Sequence, residues 1–200
     1  MTLPPDCKPN RGNERTVSNR GSKERNFPRG TPAWRGEGED SSRFSETMKI
    51  SDILGRDMIV PQLLSQTKEG ILRELVHALA KGGQRINEGR MIEILLERES
   101  LGSTGIGEGV AIPHGKSKEV KEIMAAFGRS LPGMDFQSLD GKPTHLFFLL
   151  IAPENSAGTH LKALAQVSRL MKEPTFRKRL LEARTPDDLY ALFSEGEEKG

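Results

Sequence analysis

Cysteine is almost missing from this chain. The single Cys7 leaves no partner for an internal disulfide and no thiolate set for a metal. Aromatic residues make up 5% and apolar residues 34% of the 200 positions, little for a chain folded along its whole length. No run approaches the ~18 apolar residues of a membrane-spanning helix, and no apolar segment follows the first basic residues as a secretory signal requires. An excess of one charge is lacking too, with 30 Lys/Arg against 28 Asp/Glu and a net charge of +2. These shortages argue against a disulfide scaffold, membrane insertion, and a basic footprint for nucleic acid. They leave the cytosol as the expected compartment.

The shortages are not spread evenly. Residues 1–47 contain only Leu3 and Val17 from the Leu/Ile/Val set, with five Pro, five Gly and five Ser. They hold nine Lys/Arg and seven Asp/Glu, so they carry the whole +2, while residues 48–200 hold 21 of each sign. Such a composition buries too little apolar surface to offset the entropy of ordering, and a disordered tail is expected. Trp34, isolated there, reads as solvated. A native extension and a start assigned too far upstream both fit this segment, and Met48 is available as an initiator.

From Met48 onward the pattern is that of a folded domain. Ile71, Leu72, Leu75, Val76 and Leu79 recur at helical spacing and Gly82-Gly83 ends that helix. "INEGRMIEILLERES" predicts a second helix capped by Asn87, with Met91, Ile92, Leu95 and Leu96 facing inward. "IMAAFGRS" and "HLFFLLIAP" read as buried strands, the second continuous enough to be covered on both faces. Between them "LPGMDFQSLDGKP" is dense in turn residues. "APENSAGTHLKALAQVSRLMKE" predicts a helix with His160 in its first turn, and "TPDDLYALF" a last one with Thr185 as cap and Pro186 behind it. The order implies an α/β domain, a mixed parallel/antiparallel sheet flanked by helices.

Between the second helix and the strands lies "GSTGIGEGVAIPHGKSK", residues 102–118. It nearly matches two phosphate-binding motifs and fails both. A Walker A loop ending at Gly115-Lys116-Ser117 needs glycine at the position held by Val110, and so does a G-x-G-x-x-G starting at Gly105. What remains is His114 behind Pro113, preceded by four glycines. Downstream, His160 lies where a helix begins after a strand, a natural place to hold an anion.

"LLERESLGSTGIGEGVAIPHGK" followed by "FLLIAPENSAGTHLKALAQVSRLM" resembles the enzyme IIA domain of the bacterial phosphotransferase system, fructose/mannitol type, and within it the nitrogen-regulatory branch. The resemblance spans residues 48–195, leaving 196–200 as a C-terminal tail. It implies that His114 accepts a phosphoryl group, that His160 supports the phosphate, and that Arg98 helps neutralise it. The implied donor is a phosphorylated HPr/NPr-type carrier protein. The implied output is either regulation of a transporter or sensor kinase, or onward transfer to an enzyme IIB for sugar uptake. No cofactor is implied.

The residue chemistry agrees. A neutral imidazole near its ordinary pKa offers a lone pair as nucleophile, and phosphoryl transfer chiefly needs positioning and charge neutralisation. Pro113 restricts Ile112 to an extended form, and the glycines are expected to open the loop to a protein donor and to expose N–H groups, Gly115 among them, to phosphate. The hydroxyls of Ser103 and Thr104 fit phosphate donors and loop caps equally. Arg98 lies in the run Glu97-Arg98-Glu99, which also fits a solvated helix end. A metal at His114, His160 and His145 would need further ligand support; His145 reads as structural and His77 as a surface residue.

Overall fold

A computed structural model describes residues 48–83 and 85–196. The segment expected to be a disordered tail, 1–47, lies outside the described residues, as do residues 197–200. After a short helix α1 (Ile50–Ile53) the elements are β1 (Leu54–Val60), α2 (Lys68–Ala80), α3 (Glu88–Ser100), β2 (Gly105–Gly107), β3 (Val110–Ala111), β4 (His114–Ser117), β5 (Met124–Met134), β6 (Thr144–Pro153), α4 (Ala157–Lys172), α5 (Pro174–Glu182) and α6 (Pro186–Gly196).

The strands form one sheet in the order β1-β5-β6-β3-β2, with β4 also on β6. β1 runs parallel to β5, β5 antiparallel to β6, and both β3 and β4 parallel to β6. The expected mixed sheet is therefore present. Every residue of β6 from Leu146 to Ala152 is buried, as a strand covered on both faces must be.

Neighbouring residues of β5 identify the two covers. Phe127 meets Phe193 of α6 edge-on, ring centroids 5.0 Å apart. A Cβ on Gly128 would come within 2.8 Å of side-chain atoms of Leu63 and Leu75 on the other side. Because successive strand residues point to opposite faces, α2 and α6 cover opposite sides of the sheet. The five apolar residues that mark α2 are all fully buried. Its start is capped by Thr67 Oγ1, which accepts from Gly70 N–H at 3.1 Å. Asn87 and Thr185 cap α3 and α6 in the same way, each accepting at 3.1 Å from the N–H three residues on.

Two features differ from the sequence pattern. β5 continues through Leu131-Pro132-Gly133 to Met134, with a register shift against β6 that accommodates the proline. And no separate helix is expected from the sequence at 174–182, where α5 buries Phe176 and Leu180 one turn apart. Its end is fastened by a residue of β5. The buried Arg129 donates through Nη1 to Leu180 O at 2.8 Å and Ala183 O at 2.7 Å, and through Nε to Pro61 O at 3.0 Å. The last carbonyls of a helix have no partner of their own, and a buried guanidinium satisfies several at once.

Arg129→Met keeps most of the side chain's bulk but strands these carbonyls. It is expected to cost about 2–4 kcal/mol, read as a lower midpoint in urea unfolding. A loss under ~1 kcal/mol would show that water replaces the guanidinium without penalty.

Candidate functional site

β3 and β4 are two parts of one path along β6, interrupted at Ile112-Pro113. Leu150 N–H donates to Pro113 O at 2.9 Å, and His114 sits in register with Leu150. The ring of His114 turns back so that Nδ1 lies 2.8 Å from Ile112 O. A carbonyl only accepts, so Nδ1 carries the hydrogen. On the other side Arg98 Nε donates to His114 Nε2 at 3.2 Å. A guanidinium only donates, so Nε2 holds a bare lone pair. Two unlike partners thus select one tautomer and leave one nitrogen nucleophilic.

Arg98 lies in the last turn of α3, its Nη1 donating to Gly102 O at 3.1 Å. The next residue, Glu99, turns inward and is buried. Its Oε2 accepts from Thr104 N–H at 3.0 Å and Thr104 Oγ1 at 2.7 Å, and its Oε1 pairs with Lys68 Nζ at 2.9 Å. Lys68 also donates to Gln137 Oε1 at 2.9 Å and lies over the Phe136 ring. The run Glu97-Arg98-Glu99 is thereby divided, with Arg98 on the histidine and Glu99 in the interior. Thr104 stands with its hydroxyl on Glu99, and Ser103 Oγ donates to Phe136 O at 2.9 Å. Both hydroxyls tie the loop, and neither residue lines the cavity beside His114.

That cavity, of about 460 Å³, opens between the end of α3 and the start of α4, with His114, Gly115 and Lys116 of β4 as its floor. His160 is buried in its wall, its ring centroid 5.7 Å from that of His114. Ser156 at the N-cap does not cap α4; its Oγ donates instead to Pro153 O at 2.7 Å. Ala157, in the first turn, lines the cavity. Gly115 lines it as well, and a Cβ there would stand 2.8 Å from Ile94 Cγ2. Its bareness lets α3 rest on β4.

Both imidazoles are held below the ordinary histidine range. For His114 burial acts most strongly; the Ile112 carbonyl opposes it, Arg98 adds to it, and Glu99 opposes it again. For His160 burial, then His114, then Lys116 lower the value to about 4. At neutral pH neither ring is charged. One is free to act as nucleophile, and the other is a neutral group able to donate one hydrogen bond.

The glycines do not frame the imidazole as expected. Gly107 and Gly109, with φ of 90° and 78°, flank Glu108 in the turn between β2 and β3. Left-handed backbone at both positions explains the residue type. Gly109 lies against His145, whose Nδ1 bonds Ser130 O at 3.1 Å. His145 therefore belongs to that turn, and four residues of parallel strand, roughly 13 Å, separate the turn from His114. Among the described glycines, only Gly102, which holds Arg98, and Gly115 touch the site. His77 stands apart on the surface beside Glu88, at 3.4 Å. Among the described residues no three His, Cys, Asp or Glu gather as a metal site would need, and no helix is long and apolar enough to cross a membrane.

Sequence reasoning passed over Lys116 and the cavity's apolar rim of Leu101 and Leu161. Lys116 had a signal, since residues two apart on a strand share a side. The rim residues had none, since Leu101 follows the end of α3 and Leu161 lies in α4.

Residues 52–196 match the family model of the phosphoenolpyruvate-dependent sugar phosphotransferase system, EIIA 2. The chain is 40% identical over 148 residues to a nitrogen regulatory protein of Bradyrhizobium diazoefficiens, covering 74% of this chain and 95% of that protein. It is 42% identical over 148 residues to the fructose-specific EIIABC component of Bacillus subtilis, but spans only 23% of that protein's length. The crystal structure of nitrogen regulatory protein IIA-Ntr from Neisseria meningitidis superposes with a TM-score of 0.68 at 33% identity, over 72% of this chain and 98% of that one.

The depressed His160 ties stability to pH. Between its folded pKa of about 4 and the unfolded value of 6.5 the unfolded chain binds more protons, so stability rises with pH and is lost as pH falls through that window. Urea unfolding should show a protein weaker at pH 5 than at pH 7, and His160→Gln should reduce the difference. An unchanged pH dependence in the variant would assign the effect to other groups.

Proposed function

Because this chain belongs to the EIIA 2 family of the phosphoenolpyruvate-dependent sugar phosphotransferase system, we propose that His114 Nε2 accepts a phosphoryl group from an HPr/NPr-type carrier protein and that the phosphorylated chain acts as a regulatory switch. The observation that carries this reading is the bare Nε2, fixed between Ile112 O and Arg98 and facing a cavity that also holds neutral His160.

The Nε2 lone pair attacks the phosphorus of the donor's phosphohistidine. The donor's P–N bond breaks, and its electron pair returns to the donor ring. A donor that keeps its own N–H leaves as neutral imidazole, and His114 keeps its Nδ1–H on Ile112 O, so no proton crosses between the proteins. Arg98 shifts from Nε2 to the phosphoryl oxygens and offsets their charge, while His160 donates to them. Transfer of this kind depends on placement and charge far more than on covalent assistance. The reactant reaches the cavity as part of a protein, which suits a rim where Leu101 is 81% and Leu161 66% exposed. The same reading places the reaction in the cytosol.

The regulatory role is favoured by 40% identity running through 95% of a nitrogen regulatory protein. The second reading, a sugar-specific IIA that passes phosphate to an enzyme IIB, draws on the 42% identity with the fructose component.

Incubation with phosphorylated carrier should add one phosphoryl mass that is stable in base and labile in acid. His114→Ala should abolish the gain. His160→Ala should keep it but slow it about 10²–10³-fold, the usual cost of one lost donor to developing charge. A mass gain surviving His114→Ala, or phosphate mapped to His160, would overturn the assignment. Efficient onward transfer to a fructose-type IIB would decide for the sugar reading over the switch.

A further inference from the structure

Among the described residues one cation, Arg98, contacts the proposed acceptor, and it does so from one side. Arg98 approaches His114 from α3 and is anchored on the Gly102 carbonyl. A phosphoryl group on Nε2 carries close to two negative charges, and its oxygens on the α4 side would face His160, a neutral ring. We propose, resting on the reading of His114 as acceptor, that Lys116 is the second cation of the site and binds the phosphoryl oxygens on the side away from Arg98.

Four observations converge on this lysine. It stands two residues beyond His114 on β4, so both side chains leave the strand on the same side, with Cα atoms about 6.6 Å apart. Its side chain lines the same cavity as His114 and His160. It lies near enough to His160 to help hold that ring unprotonated. And no carboxylate claims it: among the described residues Lys116 takes part in no ion pair or side-chain hydrogen bond, whereas Lys68, Lys118 and Lys178 each have an acidic partner. The one carboxylate lining the cavity, Glu97, is on α3 and is not paired with it.

The chemistry of the arrangement is a clamp. Arg98 offers a planar fork fixed at one end, suited to hold a constant orientation. Lys116 is a flexible point charge that can follow the phosphoryl group as it moves from donor nitrogen to Nε2. Its reach into an open cavity also means that it is solvated until the phosphate arrives, so no buried charge stands unpaired in the free protein.

The test uses the full chain with Lys116→Gln, Lys116→Arg and, as a control for general charge, Lys162→Gln on the exposed side of α4. Two readouts run in parallel: the rate of phosphoryl gain from phosphorylated carrier, and the histidine ring resonances during titration with inorganic phosphate. Lys116→Gln is expected to slow transfer about 10- to 100-fold, Lys116→Arg to restore it to within a few-fold, and Lys162→Gln to leave it unchanged. Phosphate should shift the His114 and His160 signals in the unsubstituted protein and in Lys116→Arg, and lose that effect in Lys116→Gln. His160 should also titrate at higher pH in Lys116→Gln, a change that lost packing alone would not produce. Transfer within twofold of the unsubstituted rate in Lys116→Gln overturns the proposal and leaves the function standing. A chain that takes no phosphate from the carrier, yet needs Lys116 for the phosphate-induced shifts, overturns the function and keeps the anion site. Neither transfer nor shifts in the unsubstituted protein overturns both.

Discussion

The parallel pairing of residues 114–117 with 150–153 determines what can meet at this site. Parallel strands need a long connection between them, and here β5 and the turn before β6 provide it. Once His114 is in register with Leu150, the end of β6 at Pro153 lies level with Ser117, and the chain must turn there into α4. That turn is short, so the first helical residues fall beside the imidazole, His160 among them. A slip of one residue would reverse the side on which His114 leaves the strand. Pro113 guards against such a slip, because it has no N–H to offer and only its carbonyl joins the ladder.

The electrostatics follow from where the charges are allowed to be. The acid group of this region, Glu99, is buried and already answers to Lys68 and to both donors of Thr104. It anchors the end of α3 and the strand that follows. Breaking a pair of this kind from one side leaves an uncompensated buried charge, so the α3 end is held firmly and Arg98 with it. The cavity keeps cations and two neutral rings, with Glu97 alone bringing an acid to its lining. Burial first, and the neighbouring cations after it, keep both histidines uncharged at neutral pH, and a lining of that character favours an anion.

Much of the fold was legible because its signals are local. The period of Ile71 to Leu79, the caps Asn87 and Thr185, and the unbroken apolar run of β6 each depend on neighbours within a few residues. Where burial came from afar, the pattern was silent. The end of α5 is tied by Arg129, some fifty residues earlier, whose guanidinium satisfies its final carbonyls, a pairing that no local pattern announces. β5 outlasts its turn-like residues because β6 pairs with Met134 beyond the shift in register.

For the site, the residues alone determined that a histidine behind Ile-Pro and a histidine at a helix start were the candidates, since strand end, proline and helix cap are written in adjacent positions. They also misled, because Gly107 and Gly109, a few residues before His114, fold into a turn beside His145. A hairpin reverses the chain, and sequence distance says nothing of which end of a strand a turn occupies. Only the tertiary structure decided that Nε2 rather than Nδ1 is bare, since that needs the ring turned back onto the Ile112 carbonyl and a guanidinium brought from α3. It alone sorted Arg98 from Glu99 and put Thr104 with the interior. Helix residues one apart diverge by about 100° around the axis, and which of them faces the site depends on how α3 lies on β4, a packing choice made by Ile94 against Gly115.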